Sequence, residues 1–122
     1  MVLLVEDDAI CRMDFSRQLR SDGYEVLEAG DGAEAIELLE QHHNEIELVI
    51  TDLALPKVNG FDVVTNVQRR WPKIPMIMIS GYLSEDRGHT ILGSTVDILR
   101  KPLQPNALVA LAQRMAPHGK PS

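Results

Sequence analysis

Val2-Leu3-Leu4-Val5-Glu6-Asp7-Asp8 sets four apolar residues directly against three acids. A short, unbroken aliphatic run of this kind reads as a strand buried on both faces, the kind found in parallel sheets. The pattern returns at Leu48-Val49-Ile50-Thr51-Asp52, where a second apolar run also closes on a carboxylate. Two buried strands therefore each deliver acid at their carboxyl ends. Further runs at 24–29, 76–80 and 96–99 bring the expected strands to five. Helical patterns fill the gaps, and this alternation is the signature of βα units around a parallel sheet.

The helices follow from spacing and stop signals. Residues 9–20 place Cys11, Phe15 and Leu19 on one face, and Gly23 ends the run. Residues 32–41 bury Ala35, Ile36 and Leu39. A third helix starts near Gly60 behind the capping type Asn59, turns Phe61, Val64 and Val67 inward, and ends at Trp71-Pro72. Residues 105–115 repeat Leu108, Leu111, Ala112 and Met115 at helical intervals. Segment 83–93 contains Gly88 and few apolar residues, so a short or mobile helix is expected there. One domain over 1–116 and a disordered tail over 117–122 complete the expectation.

Composition narrows the function. A chain of 122 residues fills one domain, and its net charge of −6, with scattered bases, argues against direct nucleic-acid binding. No apolar stretch approaches the roughly 20 residues that span a bilayer, and the first run turns acidic too soon for a signal peptide. A cytoplasmic protein is expected, and the single Cys11 agrees with a reducing compartment. Cys11 lies on an apolar helix face with no histidine near it in sequence, which fits a small core residue better than a nucleophile.

In open parallel sheets the functional crevice lies outside the carboxyl ends of the strands. The residues found there are Glu6, Asp7 and Asp8, then Asp52, Ser80 and Lys101. Mg²⁺ favours oxygen ligands and commonly takes one or two carboxylates, which Asp7 and Asp52 can supply. A carboxylate can also act as a nucleophile toward a phosphoryl group, given a metal and fixed cations to offset the accumulating charge. Lys101 provides the cation and Ser80 a hydrogen-bond donor. Asp8 has a simpler reading as the cap of the first helix. Asn59-Gly60 reads as turn chemistry, and His42-His43, with no third ligand at suitable spacing, as solvated residues at a helix end.

These residues, taken with their neighbours, resemble the receiver domain of two-component response regulators. The matching pieces are Leu3-Leu4-Val5-Glu6-Asp7-Asp8 with Arg12, Gly23-Tyr24-Glu25-Val26, Ala29-Gly30-Asp31-Gly32 and Glu34-Ala35. They continue in Asp52-Leu53-Ala54-Leu55-Pro56, Asn59-Gly60, Ser80-Gly81-Tyr82 and Lys101-Pro102, so that the likeness spans residues 2 to about 115. It implies a flavodoxin-like doubly wound (βα)5 fold, α/β in class, with strand order 2-1-3-4-5.

It also implies that Asp52 is the phosphoacceptor, with Mg²⁺ or Mn²⁺ held by Asp7, Asp52 and the backbone carbonyl of Ala54 beside Glu6. Ser80 senses the phosphoryl group in such domains, Lys101 pairs with it, and a cis peptide precedes Pro102. The implied partners are a sensor histidine kinase or a histidine phosphotransfer protein, and a downstream effector meeting segments 83–93, 96–99 and 105–115. Self-association into a homodimer is compatible with the family. The domain would catalyse its own phosphotransfer and dephosphorylation without being a turnover enzyme.

Ser80-Gly81-Tyr82 resembles receivers attached to hybrid sensor kinases. Ile98 stands where the family often has an aromatic residue, so a ring movement coupled to the switch hydroxyl is not available in that form. A phosphohydrolase of the haloacid dehalogenase type would carry an acid where Ala54 stands. A nucleotide binder would need Gly, Ser or Thr after the first strand. A receiver-shaped scaffold that is never phosphorylated would be expected to lack Asp52 or Lys101, and both are present.

Overall fold

The computed structural model describes residues 1–52, 60–80, 96–100 and 105–117. In chain order these form β1 (Val2–Val5), α1 (Ala9–Ser21), β2 (Val26–Ala29), α2 (Gly32–His42) and β3 (Leu48–Asp52). They continue through α3 (Gly60–Arg70), β4 (Met76–Ser80), β5 (Val96–Arg100) and α4 (Pro105–Met115). The helix expected over 83–93 and the tail from 118 onward lie outside the described residues.

The strands form one parallel sheet in the order β2-β1-β3-β4-β5. All four residues of β1 are fully buried, as continuous aliphatic runs require when helices cover both faces. Alternation along each strand divides the core in two. Val2, Leu4, Leu48, Ile50, Ile77 and Ile79 pack with Phe15 and Leu19 of α1 and with Leu108, Leu111 and Ala112 of α4. Leu3, Val5, Val49, Met76 and Met78 pack on the other face with Ala35 and Leu39 of α2 and with Val63, Val64 and Val67 of α3. Val63 joins the inward set because α3 turns two adjacent valines to the sheet; Cys11 is half-buried and packs at the margin of the first core.

Local chemistry sets the element ends. Asp8 caps α1, its Oδ1 accepting from the Ile10 and Cys11 amides at 2.9 and 3.1 Å, and Asp31 caps α2 through the Glu34 amide at 2.8 Å. At the far end of α1 the Gly23 amide bonds to the Arg20 carbonyl and the Tyr24 amide to the Leu19 carbonyl, both at 3.0 Å. This is a Schellman stop, and Gly23 adopts the φ of 101° that it needs. It also explains why β2 starts at Val26 rather than at residue 24: the Tyr24 amide is already spent on the helix.

Because β1 has β2 on one side and β3 on the other, successive connections leave it in opposite directions. That reversal opens a crevice at the carboxyl ends of β1 and β3.

Candidate functional site

The parallel register pairs Val5 with Thr51, so Glu6 and Asp52 follow at the same level on adjacent strands. Asp52 is the last residue of β3 rather than the first of the following loop. It pairs with Ile79 of β4 and is 2% exposed, and Glu6 is equally buried. Asp7 is exposed at the mouth. One carboxylate oxygen from each of Glu6, Asp7 and Asp52 lies within 4.8 Å of the others. Asp8 stands apart from this group, committed to its helix cap.

Three carboxylates so close repel one another strongly in a partly desolvated crevice, and a hard divalent cation relieves that repulsion. The donor set fits such an ion. Glu6, Asp7 and Asp52 would supply the oxygen donors that a hard divalent ion prefers, and the ion would offset their shared negative charge.

The turn carrying Glu6 and Asp7 is held from several sides. The Glu6 amide donates to the Ala29 carbonyl at 3.0 Å, extending the β1–β2 ladder one residue past β1. The Asp8 amide reaches Glu6 Oε2 at 3.4 Å, and the Thr51 hydroxyl donates to the Asp52 carbonyl at 3.1 Å. Arg12 Nη1 donates to the Glu6 carbonyl at 2.7 Å, while its Nε lies 3.4 Å from Glu28 Oε1. In the sequence Arg12 stands out only as part of a motif, and Glu28 does not stand out at all. The available signal was an acid placed inside an otherwise apolar strand.

Ser80 closes β4, with its backbone opposite Arg100 of β5. Ala54, Lys101 and Pro102 lie outside the described residues, as do the side chains of Ser80, Ile98 and Phe61. His43 stacks on Trp71 with ring centroids 5.9 Å apart, and Arg70 lies over the same ring at 4.4 Å. This group sits at the end of α3 remote from the acids. Among the described residues the exposed large apolar side chains are Ile10 and Met13, both in the first two turns of α1, the helix that begins two residues after Asp7. No helix of the described residues is long and apolar enough to cross a membrane.

Residues 2–113 match the family model for the response regulator receiver domain. The chain is 38% identical over 84 residues to the sensor kinase CckA of Brucella abortus, covering 69% of this chain and 9% of that protein. It is also 38% identical over 86 residues to the transcriptional regulatory protein PdtaR of Mycobacterium tuberculosis, covering 70% of this chain and 40% of that one. Against the crystal structure of the receiver domain from the hybrid histidine kinase CckA the TM-score is 0.80 at 32% identity, with 93% of this chain and 96% of that one covered. The chain thus spans less than half the length of these two curated relatives.

Proposed function

From the premise that this chain belongs to the response regulator receiver domain family, we propose that Asp52 is its phosphoacceptor and that Glu6 and Asp7 complete its divalent-metal pocket. Receiver domains act in two-component signalling by exchange with histidine kinases or phosphotransfer proteins, and nothing in the fold or its relatives favours a scaffold or a phosphohydrolase. The observation that carries the assignment of residues is the convergence of Glu6, Asp7 and Asp52 within 4.8 Å at the switch point of the sheet.

Asp7, Asp52 and the Ala54 carbonyl are the groups that would hold Mg²⁺ or Mn²⁺, with Glu6 adding negative charge beneath them. When bound, the ion neutralises charge on the phosphoryl oxygens. An Asp52 carboxylate oxygen attacks the phosphorus of a donor phosphohistidine. The new O–P bond forms as the P–N bond breaks, and the imidazole nitrogen takes up a proton. Burial of Asp52 keeps bulk water from competing for the phosphoryl group, and Ser80 and Lys101 hold its remaining oxygens. Later attack by one water returns the carboxylate and releases inorganic phosphate, so the domain turns its own signal off.

Ile10 and Met13, exposed on the helix that follows Asp7, would offer a protein donor an apolar landing, since the donor imidazole has to come within bonding distance of Asp52. The effector would meet β5, α4 and segment 83–93 of a cytoplasmic receiver unit.

Incubation with acetyl phosphate and Mg²⁺, followed by intact-mass analysis, tests the assignment. One phosphoryl adduct is expected on the wild-type protein, and none on Asp52→Asn or after chelation of the metal. An adduct that persists in Asp52→Asn would place the acceptor elsewhere.

A further inference from the structure

We propose that Arg12 is a positioning residue for the acidic cluster: its guanidinium fixes the peptide between Glu6 and Asp7 and so sets how both carboxylates face Asp52. The proposal rests on reading that cluster as the divalent-ion and phosphoacceptor site.

Glu6 and Asp7 are joined by a single peptide unit, and the carbonyl oxygen of that unit belongs to Glu6. Its neighbour in the chain, the Glu6 amide, is tied to the sheet through Ala29 at 3.0 Å. The Glu6 carbonyl accepts instead from Arg12 Nη1 at 2.7 Å. A peptide is planar, so holding its oxygen fixes the plane from which the backbone leaves at Glu6 on one side and Asp7 on the other. Two of the three carboxylates in the cluster are therefore oriented by one contact.

Arg12 is itself held on more than one side. Its amide makes a helical bond to the Asp8 carbonyl at 2.9 Å, which places the side chain in the first turns of α1. Its Nε faces Glu28 Oε1 at 3.4 Å. Glu28 Oε2 in turn accepts from the Ser16 hydroxyl and from Arg20 Nη2, each at 3.3 Å, so the anchor on β2 is restrained from α1 as well. The planar fork of arginine suits this task, because one rigid group reaches a carbonyl and a carboxylate in different directions. α1, β2 and the end of β1 meet at this side chain.

A bystander role makes the opposite forecast. A cation near a metal pocket repels the incoming ion, so deleting a mere neighbouring charge tightens divalent binding. Deleting a positioning residue loosens it, and supporting groups around metal ligands typically contribute about 10- to 100-fold in affinity.

The experiment is a titration of Mn²⁺ followed by electron paramagnetic resonance of the free ion, on wild-type protein, Arg12→Gln and the charge-neutral pair Arg12→Gln/Glu28→Gln. The altered side chains are partly exposed, at 24% and 30%, so the fold is expected to persist, and circular dichroism confirms it at the titration temperature. Positioning predicts about tenfold weaker binding in both variants, including the pair, where the net charge is unchanged. Wild-type binding with equal or tighter binding in the variants overturns the role of Arg12 alone. No Mn²⁺ bound by the wild-type protein overturns the metal pocket and the role of Arg12 with it.

Discussion

Three successive acids, Glu6, Asp7 and Asp8, do different work although they share a charge. Asp8 spends its side chain on the Ile10 and Cys11 amides, while Glu6 and Asp7 enter the cluster with Asp52. Asp8→Ala is expected to lower stability by about 1 kcal/mol, read by urea unfolding, with much less effect on divalent affinity than Asp7→Asn. That division of labour was legible in the sequence, because an N-cap is a local device with a local signature. The Arg12 contact was not legible, since a backbone carbonyl carries no residue identity and the partner acid comes from another strand. Ile10 and Met13 belong to this scale too. Replacing both with serine is expected to slow transfer from a histidine phosphotransfer protein about tenfold relative to transfer from acetyl phosphate, measured by rapid-quench assay, a difference of about 1.4 kcal/mol in the barrier.

Elements join through their ends as well as their faces. Tyr24, the residue after the Schellman stop, packs in the core with Leu19, and its hydroxyl donates to the Ala116 carbonyl at 2.7 Å. Beside it Gln113 of α4 hydrogen-bonds to Asp22, so the end of α1 and the end of α4 are tied together. Tyr24→Phe is expected to cost about 1 kcal/mol. Burial pushes the Tyr24 phenol up from 10.0 to about 12, with the negative charges of Glu47 and then Asp22 adding to the effect. The phenol is neutral when protonated, so its contribution is fully present below about pH 10 and is lost as pH rises through about 12. A plot of stability against pH should therefore fall less steeply across that window for Tyr24→Phe than for wild-type protein. The helix stop at Gly23 could be read from the chain, but the bond from Tyr24 to the last helix could not. Residues so far apart in sequence meet only after α1 and α4 have packed on the same side of the sheet.

At the scale of the whole molecule, two aliphatic cores hold the strands in register, and the register holds the site. Leu4 is fully buried in the centre of β1, so Leu4→Ala is expected to cost about 2–5 kcal/mol, read by urea unfolding, without changing any group at the crevice. The identity and order of the described strands and helices, most of their apolar faces and the Asp8 cap were determined by the sequence alone, whereas the Asp31 cap of α2 was seen only in the fold. Periodicity and capping act over a few residues, so their physics is already present in a short stretch of chain. Strand order was not readable from periodicity; it came from resemblance to a family. What only the tertiary structure decided is that β1 and β3 lie side by side with Val5 opposite Thr51. The intervening β2 falls on the other side of β1, and that reversal carries Asp52 to within 4.8 Å of Glu6 and Asp7. Electrostatics alone would drive three such carboxylates apart; they are held together because separating them would mean exposing the aliphatic strands that end beneath them.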